Sequence, residues 1–139
     1  MKKYLLLVLA LLAGSARAEN VIGPTNLITC NKVAFVSPAT ATTTSLIAGV
    51  AGTTINICGW HVTSTQSAST TFQLEYGTQG GPCSSPTAFT PAFSVTSTAP
   101  SADRQQYAYI STPPGAQVCV ISAGSTVGLA VMIWYSTLP

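Results

Sequence analysis

Charged side chains are scarce in this chain of 139 residues, which has five Lys or Arg and three Asp or Glu. It also has a single histidine, His61. Acid–base catalysis, activated nucleophiles and metal centres all require sets of titratable side chains. The sequence contains no G-x-S-x-G motif and no glycine-rich phosphate loop that leads into a helix. We therefore expect a protein that is not an enzyme and that has no metal site and no cofactor.

Most of the positive charge belongs to the first 18 residues. Lys2 and Lys3 precede an apolar run at 4–13, and residues 16–18 form a small-x-small cleavage signal. This is the layout of a secretory signal peptide, and the apolar run is too short for a stable membrane span. We predict that residues 1–18 are cleaved and that residues 19–139 form one secreted domain, periplasmic or extracellular, without a membrane span.

The mature chain that results is nearly uncharged. Two cations and three acids remain, which gives a net charge of −1; they are Lys32, Arg104, Glu19, Glu75 and Asp103. Two cations are too few to follow a phosphate backbone, so we do not expect nucleic acid as a partner. Ser, Thr, Gln and Gly must supply the polar surface, and such a surface associates readily unless its strand edges are protected.

Four cysteines remain after cleavage, namely Cys30, Cys58, Cys83 and Cys119. They include no C-x-x-C pair, which argues against a zinc site or a redox pair. An even number of cysteines in an exported chain predicts two disulfides. The sequence leaves three possible pairings open.

No part of the mature chain has the capped apolar stripe of a helix. Residues 70–76 alternate between apolar and polar as a half-buried strand does, with Phe72 and Leu74 on one face and Glu75 on the other. Two longer runs, at 55–62 and 126–136, are apolar on both faces and should be interior strands. About eight strands separated by Gly, Pro and Ser clusters predict an antiparallel β-sandwich of the jelly-roll or Greek-key type.

Finer details of the strands also follow from the pattern. Strict alternation within 55–62 places Ile55 and Ile57 on one face, and Cys58, Trp60 and Val62 on the other. The prolines within 84–91 predict an irregular segment, and 99–103 reads as a turn that includes Asp103. Alternation predicts a further strand at 105–111.

The chemistry-bearing residues allow two catalytic hypotheses. His61 could act as a base with Glu75 in a hydrolase, and Glu75 with Asp103 could form the carboxylate pair of a glycosidase. A triad or a metal site would need more partners than the chain offers, and a calcium site would need clustered carboxylates. Structural or solvated roles are therefore the preferred interpretation of all three.

Aromatic side chains supply a different candidate site. Trp60, Tyr107, Tyr109, Trp134 and Tyr135 could form a platform on which sugar rings stack, although most of them alternate as core residues do. The candidate ligand surface consists of Trp60, His61, Tyr107 and Tyr109.

Several short motifs follow one another along the mature chain. They are TTT at 42–44, INICG at 55–59, FQLEYGT at 72–78 with Cys83 shortly after, TSTAPSAD at 96–103, PGA at 114–116 and VCV at 118–120. This C…ICG…YGT…C…PGA…CV succession resembles a group of small exported or phage-encoded proteins. The resemblance extends from Cys30 to Tyr135 and departs at QGGP, 79–82. It implies a disulfide-stapled β-sandwich in a bacterial or virion-associated setting, and it assigns no catalytic residue.

Together these features predict a secreted, non-enzymatic β-sandwich that acts by surface contact. We expect a structural or adhesive subunit of an extracellular or virion-associated assembly, whose partners are further copies of itself or cell-surface or virion proteins. The alternative is a module that binds carbohydrate or another small ligand. The hydrolase with His61 and Glu75 is the third hypothesis.

Overall fold

A computed structural model describes residues 28–104 and 110–139, so the predicted signal peptide lies outside the described residues. The described residues form ten strands. These are β1 (Lys32–Val36), β2 (Thr42–Ile47), β3 (Thr54–Ser64), β4 (Thr70–Thr78), β5 (Ser84–Ala88), β6 (Phe93–Val95), β7 (Ser101–Arg104), β8 (Ile110–Ser111), β9 (Gln117–Ala123) and β10 (Leu129–Leu138). Within these ranges there is no helix that could cross a lipid bilayer.

The strands form two antiparallel sheets. In sheet A the order is β1, β10, β3, followed by β7 and β8, which pair with successive parts of β3. In sheet B the order is β2, β9, β4, followed by β5 and β6, which share the far side of β4. β5 and β6 occupy one strand position, and so do β7 and β8, which leaves eight positions. Numbered along the chain, these positions run 1-8-3-6 across sheet A and 2-7-4-5 across sheet B. This is the jelly-roll order, and it confirms the predicted β-sandwich.

The hydrophobic core lies between the two sheets. It is built from inward-facing side chains of the long interior strands: Ile55, Ile57, Trp60 and Val62 of β3, Phe72 and Leu74 of β4, Val118 and Val120 of β9, and Leu129, Val131 and Ile133 of β10. Burial of each such aliphatic or aromatic side chain contributes about 1.5–3 kcal/mol. β3 and β10 each have a neighbour on both sides, as their apolar sequences predict.

A β-bulge at Cys58 changes the side-chain alternation along β3, because the pairing with β10 skips this residue. The prediction from strict alternation, that Ile55 and Ile57 face away from Trp60 and Val62, is wrong. All four side chains lie in the same core. One extra residue in a strand moves every later side chain to the opposite face of the sheet. This explains why Trp60 and Val62 share a face with Ile55 and Ile57.

Two segments that were expected to be irregular are edge strands. Residues 84–88 form β5 in spite of Pro86, which is tolerated because an edge strand has an outer side that needs no hydrogen bond. Asp103 lies in β7 rather than in a turn, and its backbone pairs with that of Trp60. Pairing with a long interior strand thus outweighs the local turn preference.

Candidate functional site

Two disulfides join Cys30 to Cys58 and Cys83 to Cys119. Their Cα atoms are 6.0 Å and 6.2 Å apart, which is the ordinary span of a disulfide. They confirm the prediction of two bridges and select one of the three possible pairings. No free cysteine remains among the described residues.

The bond between Cys83 and Cys119 holds the loop at 79–83 close to the outer face of sheet B. Gly77 permits this close approach, because a Cβ at this position would collide with the loop backbone. The side-chain amide of Gln117 donates hydrogen bonds to the carbonyl oxygen of Thr78, at the end of β4, at 3.0 Å and to that of Gly81 in the loop at 2.6 Å. The loop is therefore fixed by a covalent bond and by polar contacts.

Glu75 lies next to this disulfide. It faces outward from β4, opposite Cys119 on one neighbouring strand and Ala88 on the other. The side chain is nevertheless only 3% exposed, and its Oε1 atom has no hydrogen-bond partner. Desolvation by burial raises the pKa of the Glu75 carboxyl above its ordinary value of 4.5. Burial therefore favours the protonated, uncharged form.

The structure separates the residues of the two catalytic hypotheses. His61 lies on the outer face of sheet A, because its neighbours Trp60 and Val62 point into the core. Glu75 lies on the outer face of sheet B, so the core separates these two side chains. The backbone of Asp103 also belongs to sheet A. The described residues bring together no group of three or more His, Cys, Asp and Glu side chains that could hold a metal ion.

The candidate aromatic platform is also divided. Trp60 is 4% exposed, and its ring centroid lies 5.8 Å from that of Phe93 inside the sandwich. A ring in this position cannot stack on a ligand at the surface. Tyr107 and Tyr109 lie outside the described residues.

Exposed apolar side chains are instead found on the outer face of sheet A. Val33 and Phe35 of β1 are 56% and 63% exposed. The strand register places them opposite Trp134 and Met132 of β10, whose side chains are half-buried. We call Val33, Phe35, Met132 and Trp134 the apolar patch. His61 continues the row of Phe35 and Met132 across the sheet.

A pocket of about 540 Å³ opens at one end of the sandwich. It lies where the loops at 48–53 and 112–116 meet the hairpin at 76–85, which consists of the end of β4, the loop at 79–83 and the start of β5. Its lining includes Tyr76 and the Pro113-Pro114 pair, and no described residue in the lining is charged. We call it the end pocket. The sequence marks all three segments as turns by their Gly and Pro content, but it does not show that they share one end.

Hydrogen bonds between the loops hold the end pocket open. The N–H of Gly115 donates to the carbonyl oxygen of Thr53 at 2.9 Å. The side-chain amide of Gln79 donates to the carbonyl oxygen of Gly49. Each of these segments is thus bonded to a neighbour, and most small-molecule sites are similarly pre-formed.

A comparison of the chain with known protein families, with curated proteins and with solved structures found no match. The resemblance to small exported or phage-encoded proteins therefore stays a prediction. A fold by itself does not define a function, so the function depends on what the apolar patch and the end pocket can bind.

Proposed function

We propose that this protein is a secreted, non-enzymatic subunit that works by surface contact, as a structural or adhesive part of an extracellular or virion-associated assembly. The observation that carries the proposal is the apolar patch beside the outer edge of β1, which pairs with no other strand in the part of the chain that the structure describes. Phe35 and Val33 are large apolar side chains that a monomer leaves in water. Adjacent exposed apolar side chains at a strand edge are typical of interaction surfaces.

The edge strand β1 lacks the features that usually prevent edge-to-edge pairing. All five residues of β1 pair with β10 in continuous register, so that the strand is straight on its inner side. β2 has a register shift between Ser45 and Ile47, and β5 contains Pro86. Bulges and prolines are the usual protection against edge-to-edge pairing, and β1 has neither.

A lysine on an edge strand also discourages pairing, but Lys32 is engaged elsewhere. Its Nζ atom donates a hydrogen bond to the hydroxyl of Thr137 at 2.6 Å. It also lies 5.9 Å from the centroid of the Tyr135 ring. The charge of Lys32 is thus directed toward the neighbouring strand β10, and it does not oppose strand pairing on the other side of β1.

The partner that matches this edge best is a second copy of the chain. Antiparallel pairing of two β1 strands about a two-fold axis continues sheet A from one copy into the next. If the axis passes near Ala34, Val33 of one copy lies opposite Phe35 of the other, and the two apolar patches merge. Contact between Val33 and Phe35 of the two copies removes apolar area from water, and each Å² removed contributes about 25 cal/mol. A net charge of −1 on residues 19–139 offers little repulsion.

Phe35→Asp should weaken self-association of a chain of residues 19–139 by about tenfold or more, which corresponds to about 1.4 kcal/mol. The new carboxylate would lose hydration at the joined edge without gaining a partner. Sedimentation velocity over a concentration series measures the effect. The matched control is Val50→Asp, since Val50 is 60% exposed but lies in a loop away from β1. Equal association of both variants and the unchanged chain would refute the proposed interface.

A further inference from the structure

The end pocket has the properties of a site for an uncharged ligand. Its volume of about 540 Å³ is within the usual range for small-molecule sites. None of the described side chains that line it is charged, so a charged ligand would lose its hydration there without an ionic partner from these residues. The hydrogen bonds between its loops keep it formed, which reduces the entropy lost on binding.

The lining of the pocket includes an aromatic residue. Tyr76 lines the pocket and is half-buried. Its ring stacks on that of Phe89, with centroids 6.0 Å apart and an interplanar angle of 14°. Phe89 packs against the core, so the ring of Tyr76 is supported from behind. A supported aromatic ring offers a rigid apolar face at low conformational cost.

Uncharged polar groups accompany this ring. Thr78, Gln79 and Ser85 also line the pocket. Gln79 uses one N–H in its hydrogen bond to Gly49, which leaves its second N–H and its carbonyl oxygen for other partners. A purely aliphatic ligand would cover these groups without forming hydrogen bonds to them, and the loss of their hydration would weaken binding.

We infer that the end pocket binds a neutral sugar, with one pyranose ring lying against Tyr76. A pyranose combines an apolar C–H face with a rim of hydroxyl groups, and it carries no charge. These are the three properties that the lining requires. The inference does not depend on the assembly proposal, because no residue of the end pocket belongs to β1 or to the apolar patch.

The test is a titration of the oxidised chain of residues 19–139, in which calorimetry and amide chemical shifts report binding. The probes are glucose, galactose, mannose, N-acetylglucosamine and their β-linked disaccharides. At least one of these probes should bind saturably. Ala51→Trp, at an exposed position on the pocket lining, should weaken that binding by about tenfold or more. The matched control is Ala68→Trp, since Ala68 is exposed in the connection between β3 and β4 and does not line the pocket.

Two results would overturn the inference. One is that no sugar in the panel binds saturably. Binding of a polyproline peptide in place of a sugar would count as the same result. The other is equal affinity of the Ala51→Trp and Ala68→Trp proteins for the sugar that binds. Neither result would bear on the association measured with Phe35→Asp, so the two proposals can fail separately.

Discussion

Replacing Cys83 and Cys119 together with alanine should lower the free energy of unfolding by about 3–4 kcal/mol. The bond closes a segment with a sequence separation of 36 residues, and closing a loop of that size restricts the unfolded chain strongly. For a domain of this length, we expect a fall in melting temperature of roughly 10–25 °C. Thermal unfolding followed by circular dichroism measures the change.

The matched control is the double alanine variant at Cys30 and Cys58. That bond has a similar sequence separation, 28 residues, so its effect on the unfolded chain should be similar. Only the first variant also releases the loop at 79–83 from its covalent tie to sheet B. It should therefore show faster amide hydrogen exchange at Gly77 and in this loop, whereas the control should not. A melting temperature within about 3 °C of the unchanged protein would contradict the account.

The second large effect concerns pH and depends on Glu75. Its carboxyl is buried with an unpartnered Oε1 atom, and burial raises its pKa in the folded protein above 4.5. As the pH rises above 4.5, the unfolded chain releases this proton while the folded chain still holds it. The folded state then binds more protons, so stability must fall with rising pH. The decrease in the free energy of unfolding begins near the pKa of Glu75 in the unfolded chain. It ends once the carboxyl has also ionised in the folded protein.

Glu75→Gln should remove this loss of stability, because the amide has nearly the same shape and carries no charge at any pH. We expect nearly equal stability of the two proteins at pH 4, and a variant that is the more stable of the two at pH 8, where burial opposes ionisation of Glu75 in the folded state. Urea unfolding at a series of pH values measures both curves, and the agreement at pH 4 serves as the internal control. A difference that is independent of pH would show that the carboxyl does not titrate as described.

The sequence predicts those parts of the fold that depend on a local pattern. β4 was predicted from the alternation of Phe72 and Leu74 with polar residues, and β3 and β10 from runs that are apolar on both faces. The bulge at Cys58 could not be predicted in this way, because a one-residue insertion is defined only by the partner strand. β5 was missed for a similar reason, since a proline is compatible with a strand only where that strand lies at an edge.

The candidate sites depend on topology more than on local pattern. The alternation predicts correctly that Glu75 faces away from Phe72 and Leu74. Its burial does not follow from that alternation, which predicts a polar side chain in contact with solvent on the outer face. The end pocket is built from three segments that are far apart in the chain, at 48–53, 76–85 and 112–116. Only the jelly-roll connections bring them to the same end.

The most direct test of the central claim, that this chain works by surface contact through β1, is the weight-average mass of oxidised residues 19–139 by sedimentation equilibrium. The measurement should extend from micromolar to millimolar protein. We expect the mass to rise with concentration to at least that of a dimer, and Phe35→Asp to suppress the rise. A mass that stays at the monomer value up to the highest concentration would contradict the claim.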